Sequence, residues 1–279
     1  KKQELIKVKS TGMEITHEGT EVLSQLSDYF NVYSDDHRMA RAIKEKFNIK
    51  DVHVIPGDSD SNQTVKREIG RQAGQLLESI LYEDAIVSVT GGSTMVYVSE
   101  SIHLLPFNVF FVPARGGLGE NMVYQANTIS SSMAQQAGGY YTTLYVPDNV
   151  SESTYDTLML EPSVIHTLDK IKQANVTIHG IGDALKMAHR RQSPKEVIDK
   201  LQHHQAVGEA FGYYFDAQGN VVHKVKTIGL QLEDLESKDF IFAVAGGQSK
   251  GEAIKAYLSI APDNTVLITD ETAAKVILQ

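Results

Sequence analysis

The sequence contains no cysteine, and this absence excludes disulfide bonds, thiol nucleophiles and thiolate metal sites. It also fits a protein of the reducing cytosol. No apolar run approaches the ~20 residues that span a bilayer, and no basic and apolar leader resembles a signal peptide. The composition therefore predicts a cytoplasmic protein with no membrane partner.

Positive charge is also scarce, since 26 lysines and arginines stand against 35 aspartates and glutamates, for a net charge of −9. This balance argues against a broad nucleic-acid-binding face, because a phosphate backbone needs compensating cations. The sequence begins at Lys1 rather than Met, so it can be a fragment. Any contact with DNA then requires a local basic element or one outside this sequence.

The 279 residues suffice for one large α/β domain or two ordinary ones. From Asp51 onward, short apolar strands alternate with helical patterns, which indicates βαβ units. We therefore predict an α/β fold with a doubly wound, mainly parallel sheet covered on both faces. Tyr213–Phe215 and Val221–Val222, which flank the turn sequence Asp216–Gly219, predict a small inserted β-hairpin region.

The predicted strands are short apolar runs bounded by turn or helix signals. They cover residues 51–55, 85–89, 108–112, 140–146, 175–181, 240–245 and 265–268. A helical pattern over residues 151–174 is broken at Pro162, which cannot continue an α-helix.

Residues 1–30 differ from the rest of the chain. Two loosely alternating segments flank a turn at Ser10–Gly12, and a helical pattern starts at Thr16 and extends to Phe30. Strand, turn, strand and helix are compatible with the wing of a winged-helix DNA-binding domain and the helix that leaves it. An ordinary hairpin is an equally good interpretation.

The segment Thr90-Gly91-Gly92-Ser93-Thr94 follows an apolar strand and opens a helix. Glycines allow several amides to point at one place, and the helix adds unpaired amides and a positive dipole end. The segment matches neither the Walker loop nor GxGxxG. It predicts a phosphate site for a small metabolite, with a tight turn that binds nothing as the alternative.

Three further glycine loops follow predicted strands. They are Ala114-Arg115-Gly116-Gly117, Gly180-Ile181-Gly182-Asp183 and Gly246-Gly247-Gln248-Ser249-Lys250. Because ligands of open parallel sheets bind beyond the carboxyl ends of the strands, we expect the loops to surround one small-molecule site.

Charged and polar residues in and near these loops refine the prediction. Arg115 offers a planar fork to a phosphate, and Lys250 offers a point charge. Two separate positive poles suit a ligand with two phosphates. The other candidate contacts are Arg190, Arg191, Glu209, Glu120 and Gln125. A solvated helix face is the alternative for the two arginines, and a surface position is the alternative for Glu209.

Catalytic and metal-binding signals are weak. The adjacent His203 and His204 lack the i, i+4 spacing of a metal pair, and the sequence has no GxSxG elbow. Asp183 and His189 can form an acid–base pair, although two separate side chains on a helix surface are the simpler interpretation. We therefore predict no catalytic residue, no metal and no cofactor.

Together, several of these motifs resemble the SorC family of sugar-responsive bacterial transcription regulators. They are Thr90–Met95, Gly180–Ala184 with Met187–Arg191, Gly208–Glu209 with Phe215–Gly219, and Gly246–Lys250. The resemblance covers nearly the whole chain, and residues 16–19 resemble the end of that family's winged-helix domain.

The resemblance implies an effector-binding domain at 31–279, related in fold to glucosamine-6-phosphate deaminase and ribose-5-phosphate isomerase. Residues 1–30 would be a remnant of the winged-helix domain and its linker helix. It also implies a homo-oligomeric repressor of glycolytic genes, a dimer or a tetramer on operator DNA, whose effector is fructose-1,6-bisphosphate or a related sugar phosphate.

The resemblance also implies roles for individual residues. Gly91, Gly92, Ser93 and Thr94 would cradle one phosphate, Arg115 and Lys250 would be cationic phosphate contacts, and Gln125 and Glu209 would lie nearer the sugar and the other phosphate. The recognition helix of the DNA-binding domain is not found in the sequence.

Two functions therefore compete. The first is a ligand-gated repressor module, and the second is a sugar-phosphate isomerase or deaminase on the same fold. The enzyme would need an acid–base pair near C1 and C2 of the sugar, for which Asp183, Glu209 and Lys250 are the candidates.

Overall fold

A computed structural model describes residues 5–9, 12–22, 35–117, 121–147 and 150–279. The chain begins with an antiparallel pair, β1 (Ile6–Lys9) and β2 (Gly12–Ile15). Residues 17–22 are helical, and the Thr16 hydroxyl caps them by accepting the Gly19 amide at 3.0 Å. The predicted order of strand, strand and helix is confirmed as far as residue 22; the rest of that helix lies outside the described residues.

A seven-stranded sheet forms the centre of the fold from residue 35 onward. Its strands are β3 (Asp51–Ile55), β4 (Ala85–Val89), β5 (Val109–Pro113), β6 (Tyr140–Tyr141), β7 (Val176–His179), β12 (Phe240–Val244) and β13 (Thr265–Asp270). They lie in the order β3-β13-β12-β7-β4-β5-β6, and every pairing is parallel. This confirms the predicted parallel sheet.

Helices cover both faces of this sheet. They are α1 (Asp35–Phe47), α2 (Gln63–Ile80), α3 (Ser93–Glu100), α4 (Ala126–Ala137), α5 (Glu152–Leu158), α6 (Pro162–Gln173), α9 (Gly251–Leu258) and α10 (Glu271–Leu278). Two more helices, α7 (Ala184–Arg190) and α8 (Lys195–His203), share a third apolar core with Tyr214 and Val225. Residues of α2, α3 and α4 pack in one apolar core, and residues of α1, α6, α9 and α10 pack in the other. Strands buried on both faces explain the near-continuous apolar runs in the sequence.

A second, antiparallel sheet is inserted after β7. It consists of β8 (Gly182–Asp183), β9 (Gly208–Ala210), β10 (Tyr213–Phe215) and β11 (Val221–Lys224), in the order β11-β10-β9-β8. The predicted hairpin is confirmed as β10 and β11. The strands β8 and β9 escape sequence-based prediction because two or three residues are too few to show a periodicity.

Two further predictions have clear outcomes. The break at Pro162 is confirmed, since α5 ends at Leu158 and Pro162 is the first residue of α6, where a missing amide hydrogen costs nothing. The predicted strand over 140–146 was too long, because only Tyr140 and Tyr141 pair with β5. No helix in the described part of the chain is long and apolar enough to cross a bilayer.

Candidate functional site

A pocket of about 360 Å³ lies beyond the carboxyl ends of β4, β5, β7 and β12. Of the residues predicted to bind a ligand, the structure brings together all but Gly117 and Glu120. They are Thr90, Gly91, Gly92, Ser93, Thr94, Arg115, Gly116, Gln125, Gly182, Asp183, Arg190, Arg191, Glu209 and Lys250. Ligand binding by each of them stays a prediction.

Gly117 is not among the lining residues. Its amide donates to the carbonyl of Val146 at 2.9 Å, and a Cβ at this position would lie 2.5 Å from Oε1 of Gln125. Gly117 therefore supports the wall behind Gln125. Glu120, another candidate contact, lies outside the described residues.

The loop after β4 presents a helix N-terminus to the pocket. Gly91 allows the backbone to pass close by, since a Cβ there would lie 2.4 Å from the carbonyl of Tyr124. Gly92 precedes α3 with φ of 140°, a conformation that favours glycine, and offers no capping side chain. Ser93 and Thr94 begin the helix and line the pocket. Helix N-terminal amides of this kind attract anions.

Four cationic side chains stand around this helix end, and we call Lys66, Lys186, Arg190 and Lys250 the cation cluster. The Lys66 ammonium donates to the Ser93 hydroxyl at 2.9 Å. Burial lowers the pKa of Lys250 to about 8, and repulsion from the other three members adds to the effect. An incoming anion would relieve this repulsion.

Sequence reasoning missed Lys66 and Lys186. Lys66 lies in the first turn of α2, far from any glycine loop along the chain, and nothing local distinguishes it from a surface lysine. Lys186 had a weak signal, because it follows Asp183 by three residues and therefore lies in the first turn of the helix that Asp183 caps.

The inner end of the pocket contains a buried ion triad of Arg115, Glu209 and Arg191. Oε1 of Glu209 accepts from Nη2 of Arg191 at 2.8 Å and from Nη1 of Arg115 at 3.4 Å. The amide of Gly212 donates to the same oxygen at 2.6 Å. Burial works to raise the pKa of Glu209, but the two arginines and this amide outweigh it and hold the pKa below its usual value.

The burial of the triad decides against the surface positions that were the alternatives for Glu209 and Arg191. Glu209 is 4% exposed and Arg191 is 8% exposed, so neither is a solvated surface residue. Arg191 also donates to the hydroxyl of Tyr214 at 2.7 Å. Arg190 does lie on the exposed side of α7, at the pocket rim.

The loop after β12 was expected to help surround the ligand site, but most of it lies outside the pocket lining. Its Gly247 amide donates to Asp270 at 2.6 Å, and its Ser249 amide donates to Asp60 at 2.8 Å. These two amides therefore already donate hydrogen bonds to carboxylates of the protein itself. Of this loop, only Lys250 lines the pocket.

The geometry contains no catalytic pair of the kind considered from the sequence. Asp183 accepts the Lys186 amide at 2.8 Å as the N-cap of α7, and no hydrogen bond or ion pair joins it to His189 within the described residues. The same part of the chain holds no group of three acidic or histidine residues suited to a metal ion. The arrangement is suited to binding an anionic ligand.

Comparison with known proteins identifies the family. The family model "Putative sugar-binding domain" matches residues 32–279. The central glycolytic genes regulator of Bacillus subtilis is 46% identical over 281 aligned residues, which cover 100% of this chain and 82% of the relative. Its namesake from Priestia megaterium is 45% identical over 278 residues, covering 99% of this chain and 81% of that protein.

The chain belongs to the SorC family of transcriptional regulators. A crystal structure described as a "putative SorC family transcriptional regulator" from Enterococcus faecalis is 42% identical, with a TM-score of 0.82 over 87% of this chain and 100% of that one. Full-length SorC from Klebsiella pneumoniae, at 18% identity, shares the fold with a TM-score of 0.81 over 95% of this chain and 90% of that one.

The comparisons confirm the resemblance inferred from the motifs. SorC relatives are transcriptional regulators, which confirms that this chain is not an enzyme and decides against the isomerase or deaminase. Its larger part is a sugar-binding effector domain.

The buried triad generates a prediction about stability. Replacing Glu209 by glutamine leaves two buried arginines without their shared anion, and we expect the free energy of unfolding to fall by about 3 kcal/mol. Glu233→Gln is the control, because Glu233 also accepts a hydrogen bond but is exposed, and it is expected to cost less than about 1 kcal/mol. Urea denaturation measures both values.

The same variant has a predicted pH signature. Because the pKa of Glu209 is lowered in the folded state, its stabilisation is complete above the unfolded value of about 4.3 and disappears as the pH falls through the folded value. The stability difference between wild type and Glu209→Gln is therefore expected to shrink below about pH 4. Equal stability of the two proteins at pH 7 would contradict the role of the triad.

Proposed function

We propose that this chain is the effector-binding, oligomerising part of a repressor of glycolytic genes that responds to a phosphorylated sugar, with fructose-1,6-bisphosphate as the best-fitting effector. The assignment of glycolytic genes as the targets is supported by the names of two relatives, which are 46% and 45% identical to this chain. The pocket itself supports the class of effector.

One observation carries the choice of a bisphosphate, namely the charge of the pocket. Six cationic side chains line its described part, and the carboxylates among the lining residues described there are those of Asp183 and Glu209. A sugar bisphosphate carries about three to four negative charges near pH 7. A sugar monophosphate offers these cations one anionic group, whereas a bisphosphate offers two.

The two ends of the pocket suit different parts of such a ligand. The cation cluster and the start of α3 provide point charges, hydroxyls and amides for one phosphate. At the inner end, the guanidinium groups of Arg115 and Arg191 line the pocket, and guanidinium groups are suited to contacting a second phosphate. Oε2 of Glu209 accepts no hydrogen bond from a described residue and is available to a sugar hydroxyl.

In this proposal the bound effector regulates the repressor by favouring one arrangement of its subunits over another. A ligand that connects the glycine loops stabilises the conformation that binds it best, and so shifts the dimer or tetramer equilibrium and the spacing of DNA-binding domains. In this proposal residues 1–30 are the wing and linker helix of that domain. The hairpin β1–β2 and the helical residues 17–22 are compatible with this assignment.

Two substitutions test the site. Lys250→Ala removes a cation and Thr94→Val removes a pocket hydroxyl with little change of shape, so each is expected to weaken fructose-1,6-bisphosphate binding about tenfold. Lys255→Ala, one turn further along α9 and outside the pocket lining, is the matched control. Calorimetric titration with the bisphosphate and fructose-6-phosphate measures the affinities. Wild-type affinity in both variants would refute the site, and no binding of either sugar by the wild type would refute the proposed effector.

The pocket also predicts how affinity depends on pH. Because the pKa of Lys250 is about 8 in the free protein, its positive charge is present at pH 7 and is lost as the pH rises through 8. Affinity for the bisphosphate is therefore expected to fall between about pH 7.5 and 9. In Lys250→Gln the affinity is expected to be lower but nearly constant across this interval. A pH-independent wild type would contradict the assignment of Lys250.

A further inference from the structure

The segment before α2 and the loop after β12 are joined by carboxylates. Asp60 accepts two hydrogen bonds from Ser249, one from its amide at 2.8 Å and one from its hydroxyl at 3.1 Å. Asp270, at the end of β13, accepts the amides of Ser59 at 2.9 Å and Gly247 at 2.6 Å. We call this set of contacts the carboxylate clamp.

The clamp joins the two segments that carry pocket lysines. Ser249 is followed directly by Lys250, and the segment with Asp60 leads into α2, whose first turn carries Lys66. Both lysines line the pocket, and Lys66 reaches the hydroxyl of Ser93 at the start of α3. The relative position of these two cations therefore depends on contacts made outside the pocket.

The two carboxylates differ in what they can contribute. Asp270 is fully buried and also accepts the Ala273 amide at 2.9 Å as the N-cap of α10, so its loss would disturb the fold widely. Asp60 is exposed, and its described hydrogen bonds to other parts of the chain all go to Ser249. Asp60 is thus the part of the clamp with a local role.

We infer that Asp60 is a positioning residue for the anion site, holding Lys250 in register with Lys66 so that both can contact one phosphate group. This inference rests on the proposed function of the pocket. Asp60 lies outside the glycine loops of the sequence and outside the pocket lining.

The charge of Asp60 provides a readout that a purely structural role would not change. The charged groups that act on Lys250 are Lys66 from α2, Lys186 and Arg190 from α7, and Asp60. Asp60 is the only anion in this set, and it opposes the fall in the pKa of Lys250 that burial and the three cations produce. Removal of its charge is therefore expected to lower the pH at which Lys250 titrates.

The test uses Asp60→Asn, which keeps an oxygen for the Ser249 amide but loses the charge, and Asp60→Ala, which loses both. Asp216→Asn is the matched control, because Asp216 is an aspartate that also accepts backbone amide hydrogen bonds, in the turn between β10 and β11. The titration of Lys250 is followed by carbon-13 NMR of labelled lysines in the ligand-free protein. Its signal is assigned by its loss in Lys250→Arg.

We expect the Lys250 midpoint to fall by about half a pH unit in both Asp60 variants and to stay unchanged in Asp216→Asn. Calorimetry at pH 7 is expected to show affinity for fructose-1,6-bisphosphate reduced about fivefold in Asp60→Ala and less in Asp60→Asn. The NMR midpoint needs no ligand, so it can succeed even where the wild type binds no sugar phosphate and the proposed function fails.

An unchanged midpoint in both Asp60 variants overturns the inference, whatever their affinities. A shifted midpoint with wild-type affinity in Asp60→Ala also overturns it, because the clamp would then influence the charge of Lys250 without positioning it for the ligand. If Asp60→Ala does not fold, the decision rests on Asp60→Asn, whose midpoint must shift.

Discussion

The carboxylate of Glu209, buried between Arg115 and Arg191, is the interaction on which the candidate site depends. It joins the end of β5, the end of α7 and strand β9, and so fixes the small antiparallel sheet against the edge of the large parallel one. Two buried guanidinium groups without a counterion would be costly, and a lone buried carboxylate equally so. Because the charges are shared among three segments, the floor of the pocket forms only when all three are in place.

Glycine loops of similar composition end in different arrangements in this fold. At the start of α3 no capping side chain is present, and Ser93 and Thr94 face the pocket. After β12, the amides of Gly247 and Ser249 donate to Asp270 and Asp60. That loop therefore contributes a lysine to the pocket rather than free backbone amides. The protein thus leaves one helix N-terminus to an external anion and neutralises the other with its own acids.

Much of this site could be predicted from sequence because parallel strands bring their carboxyl ends to one edge, so loops far apart in the chain must converge. The Gly91–Gly92 loop and Lys250 were found in this way. Lys66 was not, because only the packing of α2 beside α3 brings it to Ser93. The burial of Arg191 was also inaccessible, since it depends on strands β8 and β9, which are too short to leave a pattern. The length of β6 was overestimated because its tyrosines favour a strand whether or not a partner is present.

The central claim is that the cationic side chains of the pocket, six of them in its described part, select a doubly phosphorylated sugar. A crystal structure of the protein with fructose-1,6-bisphosphate tests it most directly. We expect one phosphate at the start of α3, in contact with Thr94 and Lys250. The second phosphate is expected near Arg115, with a sugar hydroxyl hydrogen-bonded to Glu209. A bisphosphate bound elsewhere, or a pocket that stays empty at saturating ligand, would contradict it.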